Sequence, residues 1–391
     1  MDKPFDDSTG WPEAATERSD APEAPAANDG VLDSTVDGER RRGRGAVTNP
    51  SGRYEPHAKV AFDDGWQSLE ELPPFATHVT EERARRIITR NESPDIGFDR
   101  SINPYRGCEH GCIYCFARPT HAYQGLSPGL DFESKLFVKP DAAELLKKEL
   151  ADPKYTPRMI AMGTNTDPYQ PIEKKWRVTR GILEVLRDCG HPVGIVTKSA
   201  LVMRDIDILA DMAKKNLAKV CLSVTTLDPK LARVMEPRAA TPSKRLEALR
   251  ALSEAGIPTA VMVAPIVPAI NDAEIERILD AAKAAGVEGA GYVMLRMPYE
   301  IKDLFREWLR EHFPAKEKHV ISLVRSLHGG KDYDAEWGKR QTGDGPYAWS
   351  IGRRFELACE RLHLNEKRTR LTIAHFRRPE IKRAQLELFA A

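Results

Sequence analysis

From about residue 85 to 300, short apolar runs alternate with segments whose apolar positions recur every three or four residues. The first pattern predicts strands and the second amphipathic helices. A strand lead-in falls at 101–103, and a helix over 141–150 follows Pro140. Strands are expected at 159–161, 193–197, 219–225, 260–264 and 291–295. Helices are expected at 178–187, 204–214, 243–255, 273–285 and 301–312. Gly190, Gly256 and Gly286 stand just past three of these helices, where a left-handed residue closes the last turn. Six strand–helix units at this spacing predict a parallel α/β structure. Periodicity alone does not separate an open sheet from a closed barrel of eight units.

The flanks read differently. Residues 1 to about 38 are rich in Asp, Glu, Ala, Pro, Ser and Gly, and such a segment buries too little apolar surface to offset its ordering entropy. The sign of charge flips at Arg40-Arg41-Arg42-Gly43-Arg44-Gly45, read equally as a phosphate-contacting run or a solvated linker. Residues 315–391 are helical in pattern and rich in Arg and Lys. The chain thus divides into a disordered tail at 1–45, a main domain at 46–314 with its own lead-in, and a helical C-terminal extension at 315–391.

Composition adds little. The chain has 391 residues, 30% charged and 41% hydrophobic, with a net charge of +1, so overall charge selects no partner. No apolar run approaches the ~20 residues of a bilayer span. The opening Met-Asp-Lys-Pro-Phe-Asp-Asp lacks a signal-peptide pattern, and a cytoplasmic location is expected.

Chemistry concentrates in Asn103-Pro104-Tyr105-Arg106-Gly107-Cys108-Glu109-His110-Gly111-Cys112-Ile113-Tyr114-Cys115. Three thiolates so close cannot fill a four-coordinate zinc site alone, but they suit a [4Fe–4S] cluster with one iron left open. A zinc knuckle completed by His110 or His121 is the competing reading. Cys189, Cys221 and Cys359 form no second metal motif.

The Cys-x3-Cys-x2-Cys spacing, with aromatic Tyr114 before the last cysteine, resembles the signature of the radical SAM superfamily. The resemblance implies a partial (β/α)6 barrel with S-adenosylmethionine on the open iron. Active-site groups of parallel barrels lie at the C-terminal strand ends. Those ends offer Thr164 and Asp167 for the cofactor ammonium, Lys198 for a carboxylate or ribose, Ser223 nearby, and Arg238 for the carboxylate. Each has a bland alternative: a turn or helix cap at 163–171, a surface lysine, an exposed ion pair. Cys221 is expected to fill the barrel interior, with hydrogen-atom donation the lesser reading. Arg296 and Tyr299 sit where a substrate would approach.

Asn103–Cys108, Thr166-Asp167-Pro168-Tyr169-Gln170-Pro171, Thr197-Lys198-Ser199, Glu236-Pro237-Arg238 and Met262–Ile266 together resemble the spore photoproduct lyase-like family. That resemblance implies reductive cleavage of S-adenosylmethionine, a 5′-deoxyadenosyl radical, and DNA or a nucleic-acid component as substrate. A flavodoxin or ferredoxin would supply the electron. The family's hydrogen-donor cysteine has no counterpart in Gly163–Asp167, which puts the thymine-dimer reaction in doubt; Tyr169 and Tyr299 are speculative replacements. A small molecule, a peptide or RNA as substrate, and a redox-sensing iron–sulfur module without enzyme activity, are the alternatives. Finally, Gln385, Leu386, Leu388 and Phe389 resemble the short peptide by which bacterial repair proteins dock on the DNA sliding clamp, with packing on the protein's own core as the alternative.

Overall fold

The computed structural model describes residues 35–55, 73–367 and 369–380. The strands, in chain order, are β1 (His78–Glu81), β2 (Ile88–Arg90), β3 (Arg100–Ile102), β4 (Tyr105–Arg106), β5 (Lys135–Val138), β6 (Ile160–Met162), β7 (Val193–Thr197), β8 (Ala218–Ser223), β9 (Thr259–Ile266) and β10 (Gly289–Met294). Seven of them form one sheet in the order β10-β9-β8-β7-β6-β3-β2. Six run parallel, and β2 pairs antiparallel with β3 at one edge. Helices return the chain after each parallel strand, so the architecture is a partial (β/α)6 barrel. A smaller sheet, β1-β5-β4, lies outside it.

Residue choice explains the layers. Along β9, Val261 and Val263 are fully buried under the helices, while Ala260, Met262 and Ala264 face the concave side and stay partly open. This is the period-two alternation of a strand. Small residues dominate the concave face, so the interior holds a cavity of about 530 Å³ lined by Ala161, Gly194, Cys221, Ala260, Met262 and Gly291. Cys221 therefore borders open space rather than filling a packed interior, contrary to expectation.

The predicted barrel elements appear within a few residues. The extension carries helices Glu317–Leu327 and Gly345–Arg361, but it is not helical throughout. Beyond the second helix the chain runs as a strap along the N-terminal strand ends: Thr372 N donates to Asn216 O at 3.0 Å and Arg377 N to Cys189 O at 2.8 Å. Phe376 packs against Tyr155 and His191. Among the described residues no helix is long and apolar enough to cross a membrane. The expected disorder of residues 1–34 lies outside the described residues, as does the proposed clamp peptide.

The arginine–glycine run departs most from its reading as a linker. Arg44 is buried and donates to Glu133 O (2.6 Å), Phe75 O (2.8 Å) and Thr77 Oγ1 (2.9 Å). Gly45 N and Ala46 N each donate to the Glu133 carboxylate at 2.8 Å. Gly45 lies so close to the cysteine loop that an added Cβ would fall 1.9 Å from Gly111 O. The Glu133 carboxylate recruits the two backbone donors and its carbonyl the Arg44 guanidinium, and a charge run read from sequence cannot reveal those partners.

Gly45→Ala is therefore expected to lower stability by about 1–3 kcal/mol, the usual cost of overpacking. Gly38→Ala, with nothing within 4 Å of its added Cβ, should be near neutral. Urea denaturation of both variants checks this, and equal midpoints would contradict the packing.

Candidate active site

The cysteine loop follows β3 and β4 and lies on the C-terminal rim of the barrel. Gly107 and Gly111 take the left-handed conformation, φ +69° and +67°. An added Cβ would meet Phe132 O at 2.8 Å or Glu133 Oε2 at 2.7 Å, so side chains are excluded on both counts. Arg118, fully buried, ties the loop from below. Its guanidinium donates to Cys112 O (2.9 Å), Gly111 O (3.2 Å), Gly129 O (2.9 Å), Pro128 O (3.1 Å) and Glu133 Oε1 (2.5 Å).

All three cysteines are free thiols. Cys108 and Cys115 share an apolar pocket with Ala117 and Phe132. Burial pushes the Cys112 thiol up to about 12, with the Glu236 charge adding to it. Burial also raises Cys108 and Cys115. Thiols held in this state need a cation to deprotonate them, as thiolate–metal bonding does. Among the described residues no three His, Cys, Asp or Glu side chains converge as they would on a single ion. His110 Nδ1 instead faces Asp167 Oδ2 at 3.4 Å, and His121 packs edge-on against Phe132. With both histidines engaged elsewhere, three thiols on one loop fit an iron–sulfur cluster better than a zinc knuckle.

The strand ends close around this loop. Asp167 is a strut: Thr197 Oγ1 (2.7 Å), Lys198 N (2.8 Å) and Tyr169 N (2.8 Å) all donate to its carboxylate. Burial works against its ionisation, yet His110 and these donors hold it down at about 2. Tyr114 donates its hydroxyl to Glu236, which also accepts from Thr225 Oγ1 at 2.5 Å and pairs with Arg245. Arg245 reaches on to Ser223 O at 3.0 Å and Ala240 O at 2.8 Å. Against the upward push of burial, Arg245 and then Lys198 hold Glu236 below the ordinary carboxylate value. Burial and then the nearby Cys112 and Glu236 charges raise Tyr114, so the phenol stays protonated.

Of the six residues expected at the cofactor, three have their polar groups committed to the protein. They are Tyr114, Asp167 and Arg238; the last pairs with Glu109 Oε1 at 3.1 Å. The Thr164 hydroxyl makes two long contacts with the Asn103 amide, accepting from Nδ2 at 3.4 Å and donating to Oδ1 at 3.5 Å. Among the described residues Lys198 Nζ has no ion pair, and it sits 5.6 Å from the centre of the Tyr114 ring. The Ser223 side chain is buried at the end of β8. Among the described residues neither the Lys198 amine nor the Ser223 hydroxyl has a hydrogen-bond or ion-pair partner, which leaves both open to a ligand.

Sequence reasoning did not single out Arg118, Glu133, Asn103 or Arg245 as site residues. Two carried a signal: Asn103 heads the motif that runs into the cysteines, and Arg245 shares the apolar face of helix Pro242–Glu254 with Leu249 and Leu252 at helical spacing. Asn103 Oδ1 accepts from Asn165 N at 3.1 Å and so joins the ends of β3 and β6.

The radical SAM superfamily model matches residues 102–282, which span the cysteine loop and the strand ends through β9. An uncharacterized Mycobacterium tuberculosis protein, Rv2578c, is 36% identical over 235 residues, covering 60% of this chain and 68% of its own. This chain belongs to the radical SAM superfamily. An uncharacterized protein of Acidianus two-tailed virus, ORF301, is 32% identical over 268 residues, covering 65% of this radical SAM protein and 83% of its own length. A cysteine-to-serine mutant of spore photoproduct lyase shares the fold, with a TM-score of 0.50 at 16% identity over 73% of this chain and 79% of that one.

The strut role of Asp167 has a pH signature. Its folded value, about 2, lies below the ordinary 3.8, so the ionised form contributes stability that is full above the ordinary value. That contribution, about 2 kcal/mol, fades as pH falls from the ordinary value through the folded one. Asp167→Asn should be less stable than wild type by about this much at near-neutral pH, with the gap closing in strong acid. Denaturant midpoints across the acid range measure it; a gap independent of pH would refute the assignment.

Proposed function

We propose that this radical SAM protein holds a [4Fe–4S] cluster through Cys108, Cys112 and Cys115, binds S-adenosylmethionine beside it, and acts on DNA or a nucleic-acid component in the cytoplasm. The observation that carries the reading is the set of three free thiols on one rim loop, with the Lys198 amine 5.6 Å from the Tyr114 ring alongside. When bound, the cluster and cofactor would supply reductive cleavage of S-adenosylmethionine and, through it, hydrogen abstraction from a substrate.

The protein's own part is placement. Lys198 offers a cation to the cofactor carboxylate, and the Ser223 hydroxyl offers a neutral partner. Asp167 fixes the backbone that carries Lys198, through the 2.8 Å bond to Lys198 N. The Glu236–Arg245 pair fixes the Tyr114 hydroxyl, keeping the loop in register with the end of β8. A flavodoxin or ferredoxin is the reductant that this chemistry calls for.

The DNA reading is supported by the combined motifs at 103–108, 166–171, 197–199, 236–238 and 262–266. The Gln385-Leu386-Glu387-Leu388-Phe389 peptide supports a second element, docking on a DNA sliding clamp. The strap before it is tied to the N-terminal face of the barrel, by Thr372 and Arg377. The hollow interior of about 530 Å³, lined toward the N-terminal strand ends by Met159, Lys219, Thr259 and Gly289, favours a rival, a small-molecule substrate.

Under anaerobic conditions with dithionite and S-adenosylmethionine, wild type should be brown and form 5′-deoxyadenosine, while Cys112→Ala should be colourless and inactive. Lys198→Met should raise the KM for the cofactor roughly 10- to 100-fold, the effect of losing a charged hydrogen bond. Chromatographic product analysis decides; equal 5′-deoxyadenosine formation by Cys112→Ala would sink the proposal. Deuterium transfer into that product from labelled DNA, and not from labelled metabolites, would separate the DNA reading from its small-molecule rival. Removing residues 385–391 should abolish capture of the sliding clamp in a surface-binding assay, and unchanged capture would remove the clamp from the account.

A further inference from the structure

Four of the eight exposed large apolar side chains among the described residues gather on the rim beside the cysteine loop: Tyr54, Phe116, Tyr123 and Tyr299. The three tyrosines are 59%, 66% and 65% exposed, and they come from three separate segments. Tyr123 stands on the turn Arg118–Gln124 that follows the cysteines. Tyr54 stacks on it with ring centres 5.4 Å apart. Arg53 continues the stack, 5.6 Å from the Tyr54 ring and 4.0 Å from the Tyr299 ring. Tyr299 follows β10 and holds a left-handed backbone, φ +53°, which an aromatic residue seldom adopts.

This arrangement is built. Gly52 sits so tightly on the turn that an added Cβ would lie 2.9 Å from Leu126 O, which fixes the segment carrying Arg53 and Tyr54. Glu300 pairs with Arg53 at 2.8 Å, locking its guanidinium plane between the rings. That pairing also neutralises the arginine, so the stack offers ring faces rather than a phosphate site. Ring faces in series are what unpaired bases bind, and a duplex hides its bases from them. A second pair extends the same chemistry, with Arg296 5.0 Å from the ring of Phe116, next to Cys115.

We infer that Tyr123, Tyr54, Arg53 and Tyr299 form a stacking platform for unpaired bases of single-stranded DNA at the entrance to the cysteine-loop site. The inference rests on the nucleic-acid reading above and narrows it to a strand whose bases are already out of the duplex.

Fluorescence anisotropy tests it with a labelled oligothymidylate of roughly 15 nucleotides, a length within single-strand site sizes. Each Tyr→Ala variant should bind roughly 5- to 100-fold more weakly, the range for losing one base–aromatic stack. Tyr→Phe variants should bind like wild type, and affinity should fall only shallowly with salt because phosphates contribute little. Circular dichroism melting confirms that the variants are folded. A triple alanine variant that binds as wild type does, or competition by duplex DNA or oligouridylate as effective as by oligothymidylate, would overturn the platform. The binding assay does not require the cluster. Failure of wild type to form 5′-deoxyadenosine would therefore strike the proposed chemistry, while indifferent binding would strike the platform alone.

Discussion

The buried pair between Arg118 and Glu133 organises the active face. Removing two charges from water costs several kcal/mol each, and a pair survives inside only when its remaining donors and acceptors are filled. Here they are. Glu133 takes Gly45 N, Ala46 N and Arg118, and Arg118 spends its other protons on four loop carbonyls. One ionic contact thus joins the segment at residues 44–46, the cysteine loop and helix Leu130–Ser134. Without it, the loop would lose the ties that hold its Gly111 and Cys112 carbonyls against the helix.

The opposite side of the loop uses the same device. Glu236 and Arg245 are both buried, and the hydroxyls of Tyr114 and Thr225 complete the carboxylate's shell. Asp167 makes a third anchor between the ends of β6 and β7. Carboxylates that look like ligands in a list of strand-end residues are in this way consumed by the scaffold. What the scaffold leaves open, Lys198 and Ser223, carries the ligand-binding assignment, and positioning belongs to the rest. Division of labour of this kind keeps a reactive site in fixed geometry while most of its polar groups are already satisfied.

The barrel was legible because its information is local and periodic. Val193–Thr197 and Ile301–His312 match their expected bounds, since an apolar run and a clean helical face each fall between clear stops. The small sheet β1-β5-β4 was not legible. β1 is short and largely exposed, and its pairing with β5 joins residues more than fifty positions apart. The cysteine loop was readable from spacing, because three thiols in eight residues have few uses. The roles of Asp167, Glu236 and Arg238 were not, because ligand and strut are the same residue type and differ only in what lies opposite. Arg44 shows the limit most plainly: in sequence it belongs to a run read equally as phosphate-contacting or solvated, and in space it meets a buried carbonyl across 89 positions of chain.

The central claim is that three thiols on a loop held by buried ion pairs carry a multi-iron cluster with an open site. Metal and sulfide analysis of anaerobically reconstituted protein, with electron paramagnetic resonance before and after adding S-adenosylmethionine, tests it directly. About four irons and four sulfides per chain are expected. The reduced-cluster signal should change when the cofactor binds. A single tightly bound zinc with no sulfide, or a cluster signal indifferent to the cofactor, would contradict it.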